Sequence, residues 1–273
     1  MANMNRINRT RLALLAGILV FRAAGALQAD PVYLSPDQID SIALIPPPPV
    51  AGSEADRRDM QAVLAAQRAA HADHTTARAV GDAEINCVRV ASALVTDKPG
   101  NEKPGTDAAL PRALTHGEGA AAVEFATRAA LQAAMATAAP KRYWHRPRPY
   151  MASVEVERLG DVAPGYPIPP IMAGERDISS YPSGHTAFGL ACAIVFAQMV
   201  PEQRAALFAR GRVYGESRIV VGAHYPTDVE AGRVIGAAAS AIIVKNPLFQ
   251  DDLRRARAGL RAALGLSASP GGK

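Results

Sequence analysis

A chain of 273 residues, 49% apolar and 20% charged, holds ample apolar surface for a core, which excludes a disordered or low-complexity protein. Two cysteines are too few for a disulfide scaffold or a cysteine-based structural zinc site. A formal net charge of +5 would favour a nucleic-acid or membrane-surface partner if it covered a folded face, but it is unevenly placed along the chain.

Residues 1–29 contain Arg6, Arg9, Arg11 and Arg22 and no acid. The apolar run Leu12–Phe21 follows the first three, and small residues lead to Ala26 and Ala29. A basic start, a short apolar stretch and a small-residue end form a secretory signal peptide, cleaved after Ala26 or Ala29. The run is too short to anchor stably across about 30 Å of hydrocarbon. Its removal leaves 26 basic against 25 acidic residues, a net of +1. The expected product is periplasmic or secreted, without a membrane anchor. Export permits a disulfide between Cys87 and Cys192, while the same residues also suit two buried thiols.

An arm spans residues 30–52, and Ile45-Pro46-Pro47-Pro48-Pro49 within it predicts a polyproline II strap. From residue 53 to 265 the chain reads as one all-α domain. Its alanine content and apolar spacing predict helices over 54–70, 77–95, 107–115, 118–138, 186–199, 202–221, 227–244 and 247–263. The apolar stretch Thr186–Val200 ends at Pro201 and Glu202, and so reads as a buried helix. Pro140, Pro182, Pro201, Pro226 and Pro247 punctuate the later helices. The Pro- and Gly-rich 147–182 stretch predicts a loop that walls or covers a site. Residues 266–273 read as a flexible tail.

Three clusters carry the chemistry. The first, Lys141 to Pro149, has four cations in eight residues, placed after a helix that Pro140 is expected to stop. Cations so close repel unless an anion sits among them, and guanidinium matches phosphate through paired hydrogen bonds. Alone, such a patch is an ordinary solvated surface. The second, Tyr181-Pro182-Ser183-Gly184-His185-Thr186, opens a helix whose first N–H groups favour an anion. Alone, it is a simple N-cap beside an exposed histidine. The third, Ser217-Arg218 with His224 and Asp228, sets a carboxylate where it can orient one nitrogen of His224 and leave the other free to attack. Alone, it is a structural ion pair.

Together they read K-x6-R-P, P-S-G-H and S-R-x5-H-x3-D, filled by Lys141, Arg148, Pro149, Pro182, Ser183, Gly184, His185, Ser217, Arg218, His224 and Asp228. This resembles the type 2 phosphatidic acid phosphatase (PAP2) superfamily, which includes the vanadium haloperoxidases. Ser180-Tyr181 and the Ala43-Leu44-Ile45 run into four prolines resemble the class A bacterial non-specific acid phosphatases. Ser179 departs from the glycine that many of these have.

The resemblance spans roughly residues 31–263 and implies a single-domain all-α helical bundle that hydrolyses phosphate monoesters without a metal or other cofactor. In that reading His224 is the nucleophile, Asp228 orients it, and His185 is the general acid and base. Lys141, Arg148, Ser183, Gly184 and Arg218 bind phosphate. Expected substrates are small monoesters such as nucleotides, sugar phosphates and aryl phosphates, with vanadate as an inhibitor and a homo-oligomer as the assembly. Two histidines in opposed roles favour a mildly acidic optimum. The competing readings are a vanadate-dependent haloperoxidase and a phosphate-binding module without turnover. His71, His74 and His116 read as helix-end residues, and His145 and Arg146 as entrance lining without an essential role. Four of the remaining positive charges lie within Lys141–Arg148, so the rest of the surface gives no support to a nucleic-acid partner.

Overall fold

Helix signals dominate the sequence, and helices are what form. The computed structural model describes residues 31–95, 111–159 and 179–268, and among them there is no strand. The proposed signal segment and most of the long Pro- and Gly-rich loop lie outside the described residues.

Helix α1 is Glu54–Ala72, capped by Ser53, whose hydroxyl accepts the Asp56 N–H at 3.2 Å. Short helices α2 (Thr76–Gly81), α3 (Val88–Ala91) and α4 (Arg112–Thr115) precede the long α5 (Gly117–Met135). Then come α6 (Ala138–Trp144), α7 (Pro149–Ala152), α8 (Gly184–Met199), α9 (Arg204–Val220), α10 (Pro226–Ile243) and α11 (Pro247–Ala263). The four last helices start within two residues of their expected positions. Pro226 and Pro247 take first-turn positions, where no N–H is needed.

Two expected helices differ. The 77–95 segment is broken between α2 and α3, because Asp82 turns inward to accept Arg210 and Ser217, and Asn86 accepts the Val88 N–H at 2.9 Å. The 118–138 helix stops at Met135, and Pro140 does not terminate it. The chain restarts at Thr137, so Pro140 falls in the first turn of α6 and clashes with no interior carbonyl. Lys141 and Arg142 therefore sit on a helix rather than on a turn. Of the 107–115 segment, the described part is helical from Arg112.

Helix α8 is apolar on all sides and lies at the centre, packed against α5, α9, α10 and α11. Cys192 on α8 is bridged to Cys87, with both residues fully buried and their α-carbons 5.5 Å apart. The disulfide alternative is thus the one realised. With the cysteines 105 positions apart in sequence, loop closure contributes about 4.7 kcal/mol in the chain-entropy account.

The arm is tied down at both ends. Tyr33 is buried against the rings of Phe125 and Phe249, and its hydroxyl donates to Asp252 at 2.5 Å. Farther along, the Tyr181 hydroxyl donates to the Pro46 carbonyl at 2.5 Å, so the polyproline stretch straps the segment that leads into α8. The tail is also engaged in part, since Arg261 donates to the Ser267 carbonyl at 2.6 Å.

Helix α10 approaches the start of α8 so closely that a Cβ on Gly232 would lie 2.3 Å from the Ser183 carbonyl oxygen. Gly232→Ala is therefore expected to cost about 2 kcal/mol or more through overpacking, read as a lowered thermal midpoint. It should also weaken inorganic phosphate binding, since relieving the clash displaces Ser183. An unchanged midpoint would mean that the two helices separate freely.

Candidate active site

Helix α6 ends at His145, which takes the left-handed conformation with φ 48°. The last turn before it buries Lys141, whose Nζ donates to the carbonyls of Ser179 at 3.0 Å and Ser180 at 3.4 Å. An ammonium has three donors, so one remains for a ligand. The chain then runs beside the approach to α8: Ser180 N–H donates to the Arg146 carbonyl at 2.7 Å, and its hydroxyl to that of Pro147 at 3.2 Å. Two further residues on, Arg148 Nη1 donates to the Ala223 carbonyl at 2.9 Å and stands 3.4 Å from His224 Nε2. The first cluster thus touches both of the others.

Ser183 caps α8 and is fully buried. Its hydroxyl accepts from the Thr186 N–H at 3.2 Å and the Thr186 hydroxyl at 2.9 Å. Both acceptor sites are taken, which leaves its own proton for an anion. Gly184 and His185 open the helix, where backbone N–H groups lack intrahelical partners. His185 Nε2 lies 3.1 Å from the Ala83 carbonyl oxygen. A carbonyl only accepts, so Nε2 carries the proton and Nδ1 is the nitrogen left for proton exchange.

Helix α9 closes at Gly222, whose φ of 74° is a left-handed turn, and a Cβ there would meet the Glu157 carbonyl oxygen at 2.5 Å. This tight exit lets His224 N–H donate back to the Arg218 carbonyl at 3.2 Å, so Arg218 and His224 sit side by side. Asp228 lies in the first turn of α10 and is completely buried. Its Oδ2 accepts the Tyr225 N–H at 2.8 Å and faces His224 Nδ1 at 3.5 Å. That last contact is longer than a formed hydrogen bond, and Nδ1 has no nearer partner. Because a guanidinium only donates, the contact with Arg148 is a hydrogen bond in the tautomer that leaves Nε2 unprotonated and carries the ring proton on Nδ1, facing Asp228.

The electrostatics converge on one point. Burial lowers the pKa of Lys141 well below its ordinary value, and Arg148 adds to the shift. Burial, with Arg148 again adding, lowers Arg218 to about 10. Both histidines are pushed well below the ordinary imidazole value. For His185 the causes are burial and then Arg218; for His224 they are burial, Arg148 and Lys141. Arg148 thus acts on all four groups. Arg218 is itself buried, with Nε and Nη1 lacking any hydrogen-bond partner. Orphaned charged donors cost about 1–3 kcal/mol or more each unless an anion meets them. Among the described residues, no group of three His, Cys, Asp or Glu side chains is arranged to hold a metal ion.

Every residue expected at the site from the sequence is drawn into this one region. Two others belong with them. Asp82 accepts from the Ser217 hydroxyl at 2.7 Å and from Arg210 beneath the Ser217-Arg218 turn. Arg146, expected only to line the entrance, is buried and ion-paired with Asp228 at 2.8 Å. Neither has a signal in spacing, because their partners lie far along the chain.

Residues 121–250 match the PAP2 superfamily. The chain is 30% identical over 248 residues to the non-specific acid phosphatase of Salmonella typhimurium, covering 88% of each chain. It is 31% identical over 235 residues to that of Providencia stuartii, covering 84% of each. Over a shorter stretch of 128 residues it is 33% identical to an acid phosphatase of Zymomonas mobilis, covering 45% of this chain and 43% of the other. No helix among the described residues is long and apolar enough to cross a membrane. By the motif set, the helical architecture and these likenesses, the chain belongs to the PAP2 superfamily and groups there with the non-specific acid phosphatases.

Proposed function

We propose that the protein is an exported acid phosphatase, a phosphoric monoester hydrolase that accepts a broad range of small phosphate esters and works through a phosphohistidine on His224. The observation that carries the reading is the buried, partly orphaned guanidinium of Arg218, whose backbone carbonyl holds His224 one helix exit away, with Arg148 at 3.4 Å from His224 Nε2. Lys141, Arg148 and Arg218, with the Ser183 proton and the Gly184 N–H, hold the phosphoryl oxygens where charge builds in the transition state.

His224 Nε2 attacks phosphorus as the ester P–O bond breaks, and the departing oxygen takes a proton from His185 Nδ1. Asp228 steadies the positive charge that develops on His224. Water then attacks the phosphohistidine, gives its proton to His185, and the P–N bond breaks to release inorganic phosphate. A depressed pKa keeps His224 unprotonated, and so nucleophilic, in acid. The phosphate dianion opposes the same cations and so favours protonation of His185, which gives the two histidines their opposed states only when substrate is bound. Vanadate, adopting the five-coordinate geometry, competes for this site.

Export is supported by the Cys87–Cys192 bridge, which persists in an oxidising compartment such as the periplasm. The test is hydrolysis of p-nitrophenyl phosphate with EDTA present, near about pH 5–6, below the ordinary imidazole value. Turnover unaffected by the chelator is expected. Absence of turnover would overturn the reading.

A further inference from the structure

Behind His224, Asp228 belongs to a buried charge cluster whose other members take no part in the steps of hydrolysis, and Arg146 is its hub. Its Nη1 donates to Asp228 Oδ1 and to the Thr227 hydroxyl, each at 2.8 Å. Its Nη2 donates to Asp59 Oδ2 at 2.9 Å and to Asp56 Oδ1 at 3.0 Å. The guanidinium carbon stacks 3.8 Å from the centre of the Tyr225 ring. The Arg146 and Asp59 side chains are each 6% exposed, and Asp228 is fully enclosed. Three carboxylates against one guanidinium is a costly thing to bury, and hydrophobic packing would fill the same space more cheaply. Its position against the residue that faces the nucleophile gives it a use.

Asp228 divides its oxygens between two tasks. Oδ1 is held by Arg146, while Oδ2 is held by the Tyr225 amide and faces His224 Nδ1. Fixing both oxygens fixes the carboxylate plane, and with it the direction in which Oδ2 meets the imidazole. Asp59 extends the frame by accepting from the Thr227 hydroxyl at 2.5 Å, one residue before Asp228. Helix α1 thereby reaches the turn that carries Asp228 both through the guanidinium and through Thr227.

We propose that Arg146 is a positioning residue for the nucleophile: it fixes the orientation and the charge of Asp228, and through Asp228 the tautomer of His224, with Asp56 and Asp59 holding the guanidinium from behind. The inference rests on the reading of His224 as nucleophile. Asp228 is faced by Arg146 and Lys141, by His224 and Tyr225 from its own turn, and by Tyr181 from the approach to α8; Asp56 and Asp59 lie beyond Arg146. Burial raises the Asp228 pKa, and Arg146 is the foremost of the influences that lower it. Removing Arg146 therefore lets Asp228 protonate at a higher pH. A protonated carboxyl steadies a cationic imidazole poorly, so the acidic limb of activity moves upward.

The experiment compares the wild type with R146M, R146K and D59N on p-nitrophenyl phosphate across pH, alongside inhibition by inorganic phosphate. An inactive wild type would sink the phosphatase reading itself, before any variant is considered. With an active wild type, R146M is expected to lose about 100-fold in kcat, the scale of a misplaced reacting group. Its phosphate inhibition constant should stay within about threefold, because Lys141, Arg148 and Arg218 remain. Its acidic limb should rise by about one pH unit. R146K should recover part of the loss, and D59N should lower kcat by less without raising the limb, since it loosens the guanidinium while taking a negative charge from its far side. Where R146M does not fold, R146K and D59N decide. Unchanged kcat in both, with an unchanged acidic limb in R146K, would overturn the proposal, as would a raised KM at constant kcat, which would make Arg146 a direct phosphate ligand.

Discussion

His224→Ala is expected to lower kcat by about 10⁴-fold or more, the scale seen when a covalent nucleophile is removed from a preorganised site. Loss of the imidazole leaves Lys141, Arg148 and Arg218 around the phosphoryl group, so binding of inorganic phosphate should survive while turnover does not. The distinguishing readout is the covalent intermediate. Acid-labile, base-stable phosphate trapped on the wild type after rapid quenching should be missing from the variant. Label found on His185 instead would reverse the two roles. The geometry favours His224, because its Nε2 lone pair faces Arg148 at 3.4 Å while Nδ1 is turned to Asp228.

His185→Ala should separate good leaving groups from poor ones. A general acid contributes about 10²–10⁴-fold where the departing oxygen needs a proton, so alkyl phosphates should lose that much. A p-nitrophenyl ester, which departs readily as an anion, should lose far less in the first step. In the proposed mechanism the same residue is also the base for water, so the phosphoenzyme should accumulate in the variant as a burst of p-nitrophenol. Equal losses on aryl and alkyl esters, with no burst, would remove His185 from the acid role.

Much of the site was legible because its chemistry is written in local spacing. Arg218 and His224 are joined by one helix exit, His224 and Asp228 by one turn, and Ser183 with His185 by one cap. The later helices were legible because proline marks their starts, and α8 because its apolar run has no polar face. What stayed hidden depends on partners distant in sequence. Arg146 pairs with residues 82, 87 and 90 positions away, and nothing in the run Lys141 to Arg148 sets it apart from its neighbours. Asp82 meets Arg210 and Ser217 at separations of 128 and 135, which is why the helix expected over 77–95 breaks there. Pro140 misled for a different reason. Proline ends a helix or begins one, and only the turn at Ala136–Thr137 decides which.

The bridge between Cys87 and Cys192 reaches beyond stability. Cys87 follows Ala83 by four residues, and Ala83 supplies the carbonyl that holds His185 Nε2. Cys192 lies seven residues beyond His185, two turns along the same face of α8. Carbonyl, imidazole, helix and sulfurs thus form a small closed circuit, sealed by a covalent bond on one side and a hydrogen bond on the other. Reduction of the bridge is therefore expected to loosen the carbonyl that holds His185 Nε2, which ties the aim of that imidazole to the redox state of two cysteines in the core.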